Sequence, residues 1–301
     1  MDRLIIFLML NMLLFYHEPA LSRNYDDIIN RTTVSEIEYS TTRGDSLFFN
    51  GIKDSVLNPL TSSVLINRRI TEIGRAFLKT PYVAGTLEAE GEEQLIINLL
   101  GVDCTTFVEY VTAMAICSQK DELSFGDFAR QLAELRYRDG IPDGYPSRLH
   151  YFSDWLKVNE QKGYLSIISD DIGNADMDMQ IDFMTSNPGY YSKLTENPEH
   201  LHDMKVIEKK IRGYDMRYIT KDVIDKMSPN INDGDIIAFV TNIEGLDVSH
   251  TGLAIHQNGE LHFLHASLGS KKVEITRIPL SEYLKGPGNV SGIIVARLHN
   301  Q

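Results

Sequence analysis

Cysteine is scarce in this chain, with two in 301 residues. Two thiols allow at most one disulfide, so a disulfide-stapled scaffold is excluded and stability must come from an ordinary hydrophobic core. Paired Cys-x-x-Cys and His-x-x-x-His spacings are missing as well. That removes the usual closed structural zinc site and the helix-borne catalytic one. Positive charge is in deficit, with 29 lysines and arginines against 42 aspartates and glutamates and a formal charge of −13. The balance argues against nucleic acid or an anionic membrane surface as partner. No repeat, heptad pattern or low-complexity tract interrupts the chain.

The one long apolar run lies at the start. Met1-Asp2-Arg3 precedes an apolar stretch from Leu4 to Phe15, and Ala20 and Ser22 supply small residues at peptidase positions. This pattern predicts a signal peptide over residues 1–22. The run is shorter than the about 20 residues that span a bilayer, and a retained anchor is the alternative reading. With no cysteine near the cleavage point, a lipoprotein is excluded. The expectation is an exported protein, periplasmic or extracellular, with no integral membrane span after cleavage.

Residues 23–60 are polar and weakly periodic, and read as an N-terminal extension with at most one short helix. Residues 61–301 read as one domain. Apolar residues at helical spacing predict a helix over 62–78, stopped by Thr80-Pro81. A short strand at 95–99, a helix at 104–118 and another at 125–135 follow. The stretch 136–225 is turn-rich and holds the single tryptophan, Trp155. It reads as a large helical and loop insertion. Beyond it come five short β-branched segments, two of them joined by Asn258-Gly259, a strong hairpin signal. Helices first and an antiparallel sheet afterwards argue for an α+β fold.

Chemistry points first to Gly101-Val102-Asp103-Cys104-Thr105-Thr106. A thiol at a helix start meets unpaired N–H groups and the positive end of the helix dipole, which favour the thiolate. Its bland alternative is a small buried hydrophobe. Cys117 lies 13 residues along the same predicted helix, about 20 Å away, well beyond disulfide reach. Both thiols are therefore expected to be free, with Cys117 a packing residue.

A cysteine nucleophile needs a base and a group that orients the base. Strand alternation places His250, Gly252, Ala254 and His256 on one face of a predicted strand, with His265 available from the next strand. His250 is the candidate base and His265 the candidate orienting residue. Gly252 and Ala254 make that face thin, so the Cys104 helix is expected to pack there. His256 and His262 read as solvated or structural. A His-His-Asp metal set drawn from separate strands is a competing reading. Asp103 suits a helix N-cap. Tyr82, Arg148, His150 and Trp155 could line a substrate groove, with a core position the equal alternative for Trp155.

Taken together, Tyr82, Asp103-Cys104-Thr105-Thr106-Phe107, Asp233-Gly234-Asp235, Ser249-His250-Thr251-Gly252 and Leu264-His265-Ala266 resemble the NlpC-type papain-like cell-wall hydrolases. Thr105-Thr106, Arg148-Leu149-His150-Tyr151 and the run from Gly245 to Gly252 are similar to their N-acetylmuramoyl-L-alanine amidase-like bacterial branch. The resemblance implies a papain-like core, with helices packed on an antiparallel sheet or partial barrel. It implies Cys104 as nucleophile, His250 as base and His265 as orienting residue. Substrate contacts are expected from Tyr82, Asp103, Arg148, His150, Trp155 and Ser249. The implied activity is cleavage of a peptidoglycan amide by a monomer without metal or cofactor. A stem-peptide endopeptidase and a non-catalytic wall-binding protein are the alternatives.

Overall fold

Alternating apolar side chains in the C-terminal third build the scaffold on which everything else is hung. The computed structural model describes residues 30–34, 37–60, 64–119 and 123–300. The predicted signal peptide lies outside the described residues. Strand β1 is Asn30–Val34, β2 Ile37–Thr41, β3 Leu95–Ile96, β4 Leu165–Ile167, β5 Ala175–Asp176, β6 Arg217–Thr220 and β7 Ile236–Thr241. Strand β8 is Val248–Gln257, β9 Glu260–Ser267, β10 Lys272–Ile275 and β11 Val290–Leu298. The longer helices are α1 Arg43–Ile52, α2 Ile66–Ala76, α3 Cys104–Cys117, α4 Phe125–Arg136, α5 Phe152–Gln161 and α6 Pro198–Ile211.

The main sheet runs β10-β9-β8-β7-β11-β6-β5, and β4 also pairs with β11. Its pairings are antiparallel. The expected α+β arrangement of helices on an antiparallel sheet is present, but the sheet stays open instead of curling into a barrel. Asn258 and Gly259 turn β8 into β9 with φ of 54° and 84°. Positive φ at both positions is what a two-residue hairpin turn requires, and Asn-Gly adopts it at least cost.

Two layers of apolar side chains cover the two sheet faces. Leu253, Ile255 and Leu264 join Phe107, Val108 and Val111 of α3 and Ile70 and Ile73 of α2 in the larger core. Ala254, Phe263, Phe239 and Ile237 form a second cluster under Leu280 and Leu284. A fully buried aromatic such as Phe107 contributes about 2 to 3 kcal/mol through the water it no longer orders.

Two expectations need correcting. The 23–60 segment holds more regular structure than one helix. Strand β2 pairs in parallel with β3, and Tyr39, Phe49 and Ile52 are buried in the larger core. Its polar composition hid this because a reciprocal capping box, Thr42 with Asp45, starts α1, and Asp45 also accepts the Leu99 N–H at 2.7 Å. The 136–225 insertion is likewise not only helix and loop. It contributes β4, β5 and β6 to the main sheet.

Candidate active site

Helix α3 begins where the sequence says it should. The Asp103 carboxylate accepts the Thr106 N–H at 2.8 Å, and the Thr106 hydroxyl accepts the Asp103 N–H at 2.9 Å. This closed box fixes the first turn and so the direction of the Cys104 side chain. Neither Cys104, which is half-buried, nor Cys117, which is buried, forms a disulfide.

The backbone N–H and hydroxyl of Thr251 and the hydroxyl of Thr105 lie close to the Cys104 side chain and favour its anion. The Thr251 hydroxyl donates its hydrogen to the Cys104 carbonyl at 2.9 Å. These donors favour the anion, but burial and the nearby Asp103 charge oppose them and push the thiol up to about 11. Desolvation and the Asp103 charge thus oppose what the helix start favours, and the side chain is held toward its neutral thiol form.

The face assignment is corrected too. Thr251 and Leu253, not Gly252 and Ala254, lie under α3. Small size at Gly252 serves another purpose, because a Cβ there would stand 2.7 Å from the Phe263 ring. Cys104 meets the sheet through Thr251, the residue that directly follows His250 in the chain.

His250 projects to the opposite side of β8. A bulge sets its aim, since Phe239 pairs with His250 and Val240 with Val248, leaving half-buried Ser249 unmatched. Its Nε2 lies 2.6 Å from Nδ1 of His265, with the rings nearly perpendicular at 87°. Phe239 and Phe263 pack against the His250 ring. Burial lowers the His250 imidazole to about 4. His265 is pushed lower still by burial and by His250 itself. Both rings are therefore neutral at ordinary pH, and one nitrogen of the close pair must donate.

No hydrogen bond occupies His250 Nδ1 among the described residues, nor does one join His250 to Cys104. For Nδ1 to accept a proton, Nε2 must carry the hydrogen and donate it to His265. His265 Nε2, buried without a partner, then holds the second hydrogen.

Tyr82 is drawn beside the thiol by a bridge between its backbone and Val102. Its hydroxyl is held protonated by burial and by Cys104 and Asp103. The remaining predicted contacts separate. Arg148 is buried, with Nη2 2.7 Å from Glu88 and its guanidinium 5.0 Å from the Tyr145 ring centre. It lines a small pocket with Glu88, Glu93 and Lys193, apart from Cys104 and the histidines. His150 donates Nε2–H to the Tyr145 carbonyl at 2.8 Å, and burial keeps it neutral. Trp155 is fully buried and stacked on Phe152, with centroids 5.1 Å apart. It lines no groove; its core position is the reading the structure supports. His262 is a structural residue donating to the Thr276 carbonyl, and His256 pairs with Asp233 at 2.7 Å. Among the described residues, no three His, Cys, Asp or Glu side chains are grouped to hold a metal ion. Thr251 escaped the sequence reading: alternation puts it on the Leu253 face, whereas the helix was expected on the other one.

With this geometry in view, residues 72–290 match the family model described as AmiA-like, N-acetylmuramoyl-L-alanine amidase-like. The chain belongs to the AmiA-like family. A solved structure described as an N-acetylmuramoyl-L-alanine amidase from Bacteroides uniformis is 40% identical. The match covers 78% of this chain and 99% of that one, with a TM-score of 0.75. A Bacteroides fragilis protein described as a candidate xylanase is 46% identical over 74% of this chain and 98% of its own, TM-score 0.72. A Legionella pneumophila protein shares the fold at 21% identity, 85% and 94% coverage and TM-score 0.61. Among functionally curated proteins none matches.

Proposed function

We propose that this AmiA-like chain is an exported cysteine amidase of peptidoglycan that cuts the bond between the muramoyl lactyl group and L-alanine. Its core is then of the papain-like NlpC type, its first 22 residues a signal peptide, and its working form a monomer without metal or cofactor. The observation that carries the reading is the capped helix start holding Cys104 against Thr251, next in sequence to a His250 already paired with His265. No helix among the described residues is long and apolar enough to cross a membrane.

Chemistry starts from a neutral pair, because the thiol lies near 11 and the base near 4. Sulfur attacks the amide carbonyl as its proton passes to His250 Nδ1 through an intervening water, since the imidazole lies on the other side of β8 with Phe239 and Phe263. His265 accepts the Nε2–H bond and stabilises the imidazolium that forms. The amides of Cys104 and Thr105 open α3, where no helix carbonyl can reach them, and they receive the developing oxyanion. The imidazolium then protonates the leaving L-alanine nitrogen, and water hydrolyses the thioester. Tyr82, Asp103 and Ser249 border the thiol and the base and contact the stem.

A glycosidase such as the name of the Bacteroides fragilis relative indicates would need two opposed carboxylates across a sugar bond. The groups gathered here are a thiol, two imidazoles and one carboxylate already engaged as a helix cap. Mass spectrometry of muropeptides digested by the wild type and by Cys104→Ala tests the proposal. Free lactyl sugar and an intact stem peptide are expected from the wild type alone. Fragments cut within the stem would identify an endopeptidase instead, and turnover by the variant would refute the thiol mechanism.

A further inference from the structure

The insertion grips the loop that leads into the base. Between β7 and β8, the Gly245 carbonyl accepts the N–H groups of Asp182 and Phe183 at 3.1 and 3.0 Å. On the other side, Asp247 Oδ2 accepts the Ser153 N–H at 2.7 Å, and its Oδ1 accepts the Val248 N–H at 2.7 Å. Asp247 is 2% exposed and Ser153 is fully buried. The Asp247 carbonyl also receives the Thr241 N–H at 3.2 Å, across the sheet.

Helix α5 lacks a cap of its own, since Tyr151 at its N-cap makes no side-chain bond. Asp247 supplies that cap from 94 residues away. A carboxylate there meets the positive end of the helix and an otherwise orphan amide, which keeps it seated despite burial. With its second oxygen it fixes Val248, the residue at which the β8 bulge begins. His250 leaves the strand two residues later.

We propose that Asp247 is a positioning residue for the base: it bolts the insertion helix to the bulge and so sets the direction in which His250 projects. The inference rests on the reading of His250 as general base. It assigns the insertion a share in the reaction beyond any contact with substrate. Both oxygens are needed, because each holds a backbone amide on a different element.

The test is Asp247→Asn, which keeps shape and replaces one acceptor by an NH2 group facing an N–H. In muropeptide hydrolysis kcat should fall by about tenfold to a hundredfold, as for a displaced catalytic group, with KM within about twofold. Histidine 15N spectra should lose the Nε2–H to Nδ1 signature of the His250–His265 pair. A folded variant with wild-type kcat, or a slowed one whose histidine pair is unchanged, overturns the proposal. Gly245→Ala provides a second route if Asp247→Asn does not fold. Gly245 has φ 77°, and an added Cβ would stand 2.4 Å from Asp182 Oδ1, so this change loosens the opposite grip on the same loop. The same kcat loss and spectral change are expected, and their absence equally overturns it. Activity retained by His250→Ala would instead sink the underlying assignment of the base.

Discussion

The two ends of α3 carry the same residue in opposite surroundings. Cys117 is fully buried, and its thiol donates to the Asp127 carbonyl at 3.3 Å. Cys104 is half-buried and has potential donors beside it, the N–H and hydroxyl of Thr251 and the hydroxyl of Thr105. An acceptor stabilises S–H, whereas donors stabilise S⁻. Low exposure alone therefore does not make a nucleophile. The sign of the neighbouring dipoles separates a packing thiol from the one proposed to react.

The sharpest break of that comparison is substitution at each end. Cys104→Ala should reduce muropeptide turnover on the order of 10⁴-fold or more, with an unchanged circular dichroism spectrum. Cys117→Ala should leave kcat within about twofold and lower stability by about 1 kcal/mol, read from denaturant midpoints. Equal loss of activity in both would show that the helix, not the thiol, is what matters. Next in size is His265→Ala, which removes the acceptor behind the base. A fall in kcat of about a hundredfold, with KM little changed, is expected from steady-state kinetics.

Alkylation distinguishes the thiols without mutation. Iodoacetamide should label Cys104 slowly at neutral pH and faster as pH rises toward about 11, while Cys117 reacts only after denaturation. Peptide mass mapping reads both sites. The smallest expected effects concern acid. Hydrolysis should persist until pH approaches about 4, where His250 takes a proton before the substrate arrives. Stability follows the same sign. His250 and His265 have folded values below the unfolded 6.5, so the unfolded chain binds more protons in acid. Their contribution is complete above about 6.5 and is lost as pH falls toward the folded values. Urea midpoints that hold constant between pH 7 and 4.5 would contradict this.

Much of this was legible because local rules and the fold agree. The Asp103–Thr106 box, the Asn258-Gly259 turn and the alternating strands each place their own neighbours. Other features were hidden for definite physical reasons. Alternation puts Thr251 and His250 on opposite faces but does not say which face a helix will cover, and the bulge at Ser249 has no signature of its own. Within the insertion, α6 carries a local start signal that the reading passed over, Asn197-Pro198-Glu199, where the Asn197 side chain accepts the Glu199 N–H at 2.9 Å. The start of α5 carries none, because its cap comes from Asp247 across the molecule. Trp155 resembled a groove residue by type alone, and only packing shows its ring against Phe152.

The neutral thiol and neutral imidazoles also bear on how long the protein lasts. Peroxides and foreign disulfides attack through the thiolate, so a group held near 11 offers them a very small reactive fraction at neutral pH. In the oxidising surroundings proposed for it, such a centre is dormant until an amide carbonyl is docked against it. Storing the proton on sulfur would thus guard the side chain on which the proposed turnover depends.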